Sequence, residues 1–419
     1  MTTALSVSTV LSLSASRWPA SERSRKRISR SSSIVISSSD SPAALTRVKA
    51  CGPDIAKLPR TASWRRRCNR IWLITVSRTA TPAGYPPTPI ETKEPDLMQA
   101  SKRTAIIGDI GGTHARFAIC DIDELSVSHF AVFQTAMFPS LPNAVANYLE
   151  SIPDNPDIAG FAIADPVTGD RMGVENSSWS FTADEVKAAC GVERIHFVNN
   201  FEALALCLPY LNAHDRCQVN PGEPVDGAPK IVLGTGGEFG SAMLVEASGK
   251  RISIAGNAGH AAFAATNDRE LAILKKVAGN FGYAPIQSVL SGRGIEALHA
   301  ALADIEGMPE PELGARDIID LAIRDKDQLA CDTLDCFVSI LGRTTGDMAL
   351  QHDARGGVYL GRGITPKILN MLDNDRFREA WRSKGAMSGH LASIPVYAIL
   401  ANDAGLRGAA IATSDAFPM

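Results

Sequence analysis

No run of 18 apolar residues occurs anywhere in this 419-residue chain. A membrane-spanning helix is therefore not expected. Cys-x-x-Cys is also missing. The eight cysteines stand at 51, 68, 120, 190, 207, 217, 331 and 336, and none sits at zinc-ligand spacing with the eight histidines, which argues against a sequence-encoded zinc site. Isolated cysteines in apolar context suit a reducing compartment, so a cytoplasmic location is expected. A strong charge of one sign is lacking as well, because the formal net charge is only −3. That figure averages two unlike parts. Residues 1–97 carry 16 lysines and arginines against 6 acids, and the remainder carries 26 against 39. The acidic body offers nothing to a nucleic acid backbone, so no nucleic-acid partner is expected. What is present in quantity is apolar residue content, 45%, which fits a globular chain long enough for two cores.

The first 97 residues are rich in Ser, Arg and Pro, as in Ser21-Glu-Arg-Ser-Arg-Lys-Arg27 and Pro82-Ala-Gly-Tyr-Pro-Pro87. Their apolar runs, such as Ile71-Trp-Leu-Ile-Thr-Val76, are too short and isolated to build a core. The composition predicts a largely disordered basic extension. Three readings of it stand side by side: an organelle transit peptide, a basic tail for anionic surfaces, and a stretch that is not translated. The third is favoured, since Met98 followed by a few polar residues and then an apolar strand makes a natural start.

From residue 104 an apolar strand runs into Gly108-Asp-Ile-Gly-Gly-Thr113, and a second strand-like run follows at once. Glycines let backbone N–H groups approach an anion closely. Asp109 can hold Mg²⁺ directly or through water, and Thr113 can donate its hydroxyl to a phosphate oxygen. The stretch lacks the Lys-Ser/Thr pair of a P-loop, and no helix follows as in a dinucleotide fingerprint. The bland alternative is a tight hairpin turn. Further strands are expected over 115–121, 127–134, 158–164 and 194–198, with helices over 141–151, 182–189 and 201–211. Thr182 with Glu185 three places on reads as a capping box. The opening pattern then recurs. A strand over 230–233 enters Gly234-Thr-Gly-Gly-Glu-Phe-Gly240, and strands over 241–246 and 251–254 follow. A repeat of this kind predicts two similar domains facing one cleft. Helices are expected over 268–278, 317–323 and 328–352, then strands over 356–363 and 394–400 and a closing helix over 404–412.

Together these motifs resemble the bacterial ATP-dependent glucokinases, within the actin-like, Hsp70-like and sugar-kinase superfamily. The landmarks fall in order: Gly108-Asp-Ile-Gly-Gly-Thr113, Ile163-Ala-Asp-Pro-Val-Thr-Gly-Asp170, Asn176-Ser-Ser-Trp179, Asn199-Asn-Phe-Glu-Ala203, Gly256-Asn-Ala-Gly-His260, Leu290-Ser-Gly292 and Gly356-Gly-Val-Tyr-Leu-Gly-Arg-Gly363. The resemblance covers about residues 98–419. It implies an α/β fold with two domains of the actin-like ATPase (ribonuclease H-like) type around a central cleft. A small α/β domain over 98–215 would carry the first phosphate loop, and a large one over 216–419 would carry the helical insertions. It implies ATP and Mg²⁺ as cofactors, with Gly108, Asp109, Ile110, Gly111, Gly112, Thr113, Gly234, Gly236, Gly361 and Gly363 around the nucleotide and Asp109 as metal ligand. Asn176, Asn199, Asn257, His260 and Gln287 would hold a hexose. No membrane partner is expected, and a homodimer is one expected assembly.

Departures from the family pattern fall on the chemistry. Where such enzymes have Asn-Asp-Phe, with the aspartate as general base for the sugar 6-hydroxyl, this chain has Asn199-Asn200-Phe201. Two sugar-binding glutamates become Asn257 and Gln287. Amides still hydrogen-bond hydroxyls, but the acceptor strength of a charged group is lost. In the second loop Gly237 replaces a threonine and Glu238 a glycine, and His114 stands where the first loop often has asparagine. Arg362 replaces a glycine near the adenosine, with three readings open: filling nucleotide space, stacking on the base, or pairing with Glu238. Asp165 is a candidate replacement base, and its bland reading is a turn residue before Pro166. Trp179 is expected to pack rather than bind, and Glu202 to be a first-turn charge. The expected activity is glucose phosphorylation at the 6-hydroxyl, impaired at Asn200. A catalytically inactive sugar-binding or regulatory relative is the alternative, and a kinase for another sugar the second.

Overall fold

The computed structural model describes residues 103–418 apart from 154, 165–166, 168, 175–176, 280–281, 310–311 and 362. Before residue 103 it describes only an antiparallel pairing of Ile34–Val35 with Lys49–Ala50. The expectations for 1–97 otherwise lie outside the described residues. The compact unit that begins at Glu94 carries two larger sheets, one after the other along the chain.

The first of these sheets has five strands: β1 (Thr104–Ile110), β2 (His114–Asp121), β3 (Ser126–Gln134), β4 (Ile158–Ile163) and β7 (Arg194–Asn199), in the order β3-β2-β1-β4-β7. The first three form an antiparallel meander, whereas β4 and β7 run parallel to β1. Parallel neighbours need long crossovers, which contain helices α1 (Leu141–Glu150) and α2 (Ala183–Cys190). β4 is buried along its whole length, as a continuous apolar run between two covered faces should be. A small hairpin, β5 (Arg171–Gly173) with β6 (Ser180–Thr182), leads into α2. The capping box is present: the Thr182 hydroxyl accepts from Glu185 N at 3.2 Å, and a Glu185 carboxylate oxygen accepts from Thr182 N at 2.8 Å. α3 (Asn200–Cys207) follows β7 directly. It is shorter than the span expected, because the chain tightens into a 3₁₀ turn at Leu208–Tyr210 where Pro209 has no N–H to continue the helix.

The second sheet repeats the first. β9 (Lys230–Thr235), β10 (Phe239–Ala247) and β11 (Lys250–Gly256) form the meander, and β12 (Val358–Gly361) and β13 (Val396–Ile399) add parallel strands beyond β9. An extra strand, β8 (Arg216–Asn220), closes the edge antiparallel to β13. Between β11 and β12 lie α4 (Asp268–Ala278), α5 (Gly292–Ile305), α6 (Ala315–Asp320) and the 24-residue α7 (Gln328–Gln351), then α8 (Asp375–Arg382) before β13. α7 buries Leu334, Phe337 and Leu341 in the largest core. α5 had no expected counterpart, because Gly292 and Gly294 at its start read as loop. The helix expected over 317–323 lies earlier and relaxes into a wider turn at Leu321–Asp325, which Lys326 ends at φ 57.

The closing helix α9 (Ala404–Ala416) runs past the 404–412 expected and crosses back to the first sheet, packing on α3, β1 and β4. It approaches α3 so closely that a Cβ on Gly408 would stand 1.9 Å from the Ala203 carbonyl oxygen. The chain thus passes between the sheets twice, near 208–215 and near 400–403, and the two passages are fastened. The Asp215 carbonyl accepts from Leu400 N and Ala401 N at 2.7 and 3.2 Å. Its carboxylate takes a two-pronged bond from Arg407 at 3.0 and 3.1 Å, which holds the Asp215 carboxyl below the usual range.

Asp215→Asn is accordingly expected to cost about 2 kcal/mol at neutral pH, the size of a charged hydrogen-bond pair. A carboxyl whose folded pKa is depressed stabilises above its unfolded pKa, near 4, and that stability fades as pH falls through the folded pKa. Urea unfolding at pH 7 and again near pH 3 should therefore show the gap between wild type and variant closing in acid.

Candidate active site

The turn between β1 and β2 points into a cavity of about 560 Å³ between the two sheets. Gly111 N donates to the His114 carbonyl at 3.0 Å, closing the turn. Thr135, beyond the far end of β3, pins it from the side: its N donates to the Thr113 carbonyl at 3.0 Å and its hydroxyl to the Gly111 carbonyl at 3.0 Å. Thr135 was not among the residues expected to matter, and no local motif marks it. Asp109, Gly111, Gly112, Thr113, His114 and Arg116 all line the cavity. Asp109 is only 4% exposed, with Arg116 Nη1 at 3.4 Å from its carboxylate. Gly108 and Ile110 do not line it. Gly108 packs under Phe161, where a Cβ would meet the ring at 2.6 Å, so its small size serves the core.

The opposite wall is the second loop, from which Gly236, Gly237, Glu238, Phe239 and Gly240 line the cavity. Backbone bonds hold it. Gly236 N donates to the Glu238 carbonyl at 3.0 Å, and Gly292 N, at the head of α5, donates to the Gly236 carbonyl at 2.8 Å. Ile364 N donates to the Thr235 carbonyl at 3.1 Å, and the Thr365 hydroxyl to the Gly361 carbonyl at 3.0 Å. The expected adenosine loop is thereby tied to the second phosphate loop. Gly363 lines the cavity, whereas Gly234 and Gly361 sit paired inside the sheet.

Asn199, Asn200 and Phe201 enter from the end of β7. The Asn199 side-chain oxygen accepts from Phe201 N at 2.9 Å and Glu202 N at 3.4 Å, capping α3. That cap fixes the helix start from which Asn200, the first helical residue, projects; Asn200 is 6% exposed. Phe201 packs against Gly240, where a Cβ would stand 2.0 Å from the ring. This contact brings Asn200 up to the second loop. Asn257, His260 and Gln287 form the remaining wall. His260 N donates to the Asn257 carbonyl at 3.0 Å, and a Cβ on Gly259 would stand 2.9 Å from the Gln287 side-chain oxygen. The turn that carries Asn257 and His260 thus meets Gln287 from farther along the chain.

Asp165, Asn176 and Arg362 lie outside the described residues. Trp179 packs as expected, 2% exposed, with its indole N–H donating to the Phe138 carbonyl at 2.8 Å. Glu202 stands in the first turn of α3, where a negative charge suits the helix dipole. Burial pushes the Cys190 and Cys207 thiols up to about 12, so neither is a thiolate nucleophile at neutral pH. Among the described residues no helix is long and apolar enough to cross a membrane.

The donor set fits Mg²⁺ only in company with a nucleotide. Among the described residues no group of three or more His, Cys, Asp or Glu side chains could hold a metal alone. Mg²⁺ is commonly bound through one or two carboxylates plus substrate phosphates, and the cavity offers the Asp109 carboxylate beside the Thr113 hydroxyl.

The glucokinase family model matches residues 106–416. The chain is 37% identical over 313 residues to the glucokinase of Aromatoleum aromaticum, covering 74% of this chain and 95% of that one. It is 34% identical over 304 residues to that of Pectobacterium atrosepticum, covering 73% and 95%. The crystal structure of a glucokinase from an Antarctic psychrotroph superposes with a TM-score of 0.66 at 30% identity, over 75% of this chain and 99% of that one. At fold level only, a ROK family glucokinase from Streptomyces griseus, in complex with glucose and AMPPNP, superposes with a TM-score of 0.52 at 18% identity, over 74% and 99%. The two loop-bearing sheets, the cleft between them and the matched length agree: this chain belongs to the glucokinase family.

Proposed function

We propose that this chain is an ATP-dependent hexose kinase of low turnover, transferring the terminal phosphoryl group of ATP to the 6-hydroxyl of glucose. The observation that carries this reading is a single cavity lined by both glycine loops, by Asn200 and by the Asn257, His260 and Gln287 wall. The S. griseus relative, which binds glucose and AMPPNP on the same fold, supports it. In this reading residues 98–215 and 216–419 supply the two walls, with α9 returning to the first. A cytoplasmic location and a homodimer accompany the proposal.

In the transfer, a bond forms between the sugar O6 and the terminal phosphorus, the bond to the ADP oxygen breaks, and the hydroxyl proton passes to water or to a phosphate oxygen. Positioning and charge stabilisation account for most of such catalysis. The glycine loops supply N–H groups for the phosphates, and the amides and His260 hold the sugar hydroxyls. Mg²⁺, when bound with the nucleotide, supplies neutralising charge at the phosphates, with Asp109 and Thr113 as the residues to hold it. Asn200 can orient the hydroxyl, but its amide has no lone pair basic enough to take the proton. A positioned base contributes ~10²–10⁴-fold, so turnover is expected below that of relatives with aspartate there by about that factor. A coupled glucose-6-phosphate assay on the full chain measures it, and turnover equal to ordinary members of the family would overturn the impairment.

The replacement of three carboxylates by amides, together with Glu238 in the second loop, supports a second reading as a sugar-binding protein without turnover. Thermal shift separates the readings, since a ligand that binds only the native state raises the melting temperature. Stabilisation by glucose with no product formed would favour the second. Stabilisation by a different sugar, with phosphorylation of that sugar, would replace glucose as substrate.

A further inference from the structure

Asp109 presents a carboxylate at the end of β1, and its surroundings explain how that group is aimed. Gly405, the second residue of α9, lies against it. A Cβ at 405 would stand 2.7 Å from Oδ2, 2.8 Å from Cγ and 3.2 Å from Oδ1 of Asp109, so all three atoms of the carboxylate are pressed to the first turn of the helix. On either side Ala404 and Leu406 carry buried side chains, and only position 405 leaves this gap. The Arg116 guanidinium stands at 3.4 Å from the same carboxylate.

The start of α9 is unusual in a second, independent way. Its N-cap residue, Asp403, makes no side-chain cap bond. Its carboxylate accepts instead from Arg407, at 2.9 and 3.2 Å. A helix start carries N–H groups without intrahelical partners and the positive end of the dipole. In α9 that end meets the carboxylate of Asp109 rather than one from its own cap.

We propose that Gly405 is a positioning residue: its missing side chain lets the Asp109 carboxylate seat on the first turn of α9, and this seat aims the carboxylate at the metal that accompanies the nucleotide. The role of Asp109 toward Mg²⁺ rests on the proposed function. The seating itself does not.

The test is a double-substitution cycle in the full chain, with Gly405→Ala, Asp109→Ala and the pair together. Calorimetry of ADP binding across a Mg²⁺ series and melting of the unliganded protein are the two readouts. Gly405→Ala should weaken the Mg²⁺-dependent part of ADP binding by about 10-fold or more, the usual effect of disturbing a group behind a metal ligand. The stabilisation by glucose should be unchanged. It should also lower the melting temperature. In the Asp109→Ala background the same change should leave the melting temperature level or raise it, because the gap is then open and alanine is the better helix former. An equal loss in both backgrounds, or an intact Mg²⁺ series in Gly405→Ala, overturns the proposal. If the single variant does not fold, a folded double variant supports the seating, and failure of both overturns it. A wild type indifferent to Mg²⁺ would remove the metal role of Asp109 and the aiming with it. The melting cycle would then still decide whether Gly405 seats the carboxylate. Gly408→Ala, a packing change on the next turn, should lower the melting temperature in both backgrounds alike.

Discussion

Asn200→Asp is expected to raise glucose-6-phosphate formation by about 10²-fold or more, the contribution of a positioned general base. The geometry is ready for the exchange. Asn200 is the first residue of α3 and lines the cavity, and the Asn199 cap fixes the helix start from which it projects. Aspartate has nearly the same shape, so neither the cap nor the contact of Phe201 with Gly240 needs to move. Two influences on the new carboxyl oppose each other. Burial raises its pKa, and the positive end of α3 lowers it. Activity should rise with pH through that pKa and then level, whereas any residual wild-type rate should lack this step. The coupled assay across pH 5–8 reads both. No gain at any pH would mean that proton removal does not limit this site, and the nucleotide side would then hold the fault.

Much of the fold was legible in the sequence, for reasons that differ along the chain. β1 and α4 have the bounds expected of them, 104–110 and 268–278, because a long apolar run and a strong amphipathic period are local signals. The capping box of α2 is equally local. β8 and the hairpin of β5 and β6 were not foreseen: their short, mixed sequences become strands only because β13 and each other offer partners. α5 was hidden by its opening glycines, one of which, Gly294, answers a close approach of the backbone just ahead of the helix. Gly292 supplies an N–H to the second loop, and a Cβ on Gly294 would stand 2.5 Å from the Val289 backbone. The residues named for the site from motifs do gather around one cavity, apart from Gly108, Ile110, Gly234 and Gly361 and the three positions outside the described residues. The supports behind them could not be read. Thr135 pins the first loop from the end of a distant strand, Gly405 arrives from the far end of the chain, and the Asp215–Arg407 clasp joins residues 192 apart. Motif spacing records what must touch a ligand, and carries no trace of what must touch the motif.

Removing the charge at the second loop is expected to strengthen nucleotide binding, a smaller effect than that of Asn200→Asp on turnover but a large one for a single side chain. Glu238 is partly buried at the cavity wall. A carboxylate ~4–5 Å from a phosphate oxygen, at an effective dielectric near 20, costs about 3–4 kcal/mol before salt and side-chain rotation reduce it. If half survives, Glu238→Gly should tighten ATP binding about 10–30-fold. Two bonds in the loop, Gly236 N to the Glu238 carbonyl and Gly292 N to the Gly236 carbonyl, are backbone bonds that the substitution leaves in place. Glu238→Gln separates charge from bulk. An equal gain from Gln assigns the effect to charge, and a gain from Gly alone assigns it to space. Ionic strength gives a second check. The wild type should lose less affinity than either variant as salt rises, because salt screens its repulsion as well as its attractions. Calorimetry with ATP and Mg²⁺ at low and high salt reads all three proteins. An ATP affinity that ignores residue 238 would show that the carboxylate turns away from the phosphates. The impairment would then rest mainly on the sugar side, where Asn200→Asp should show its gain with residue 238 unchanged.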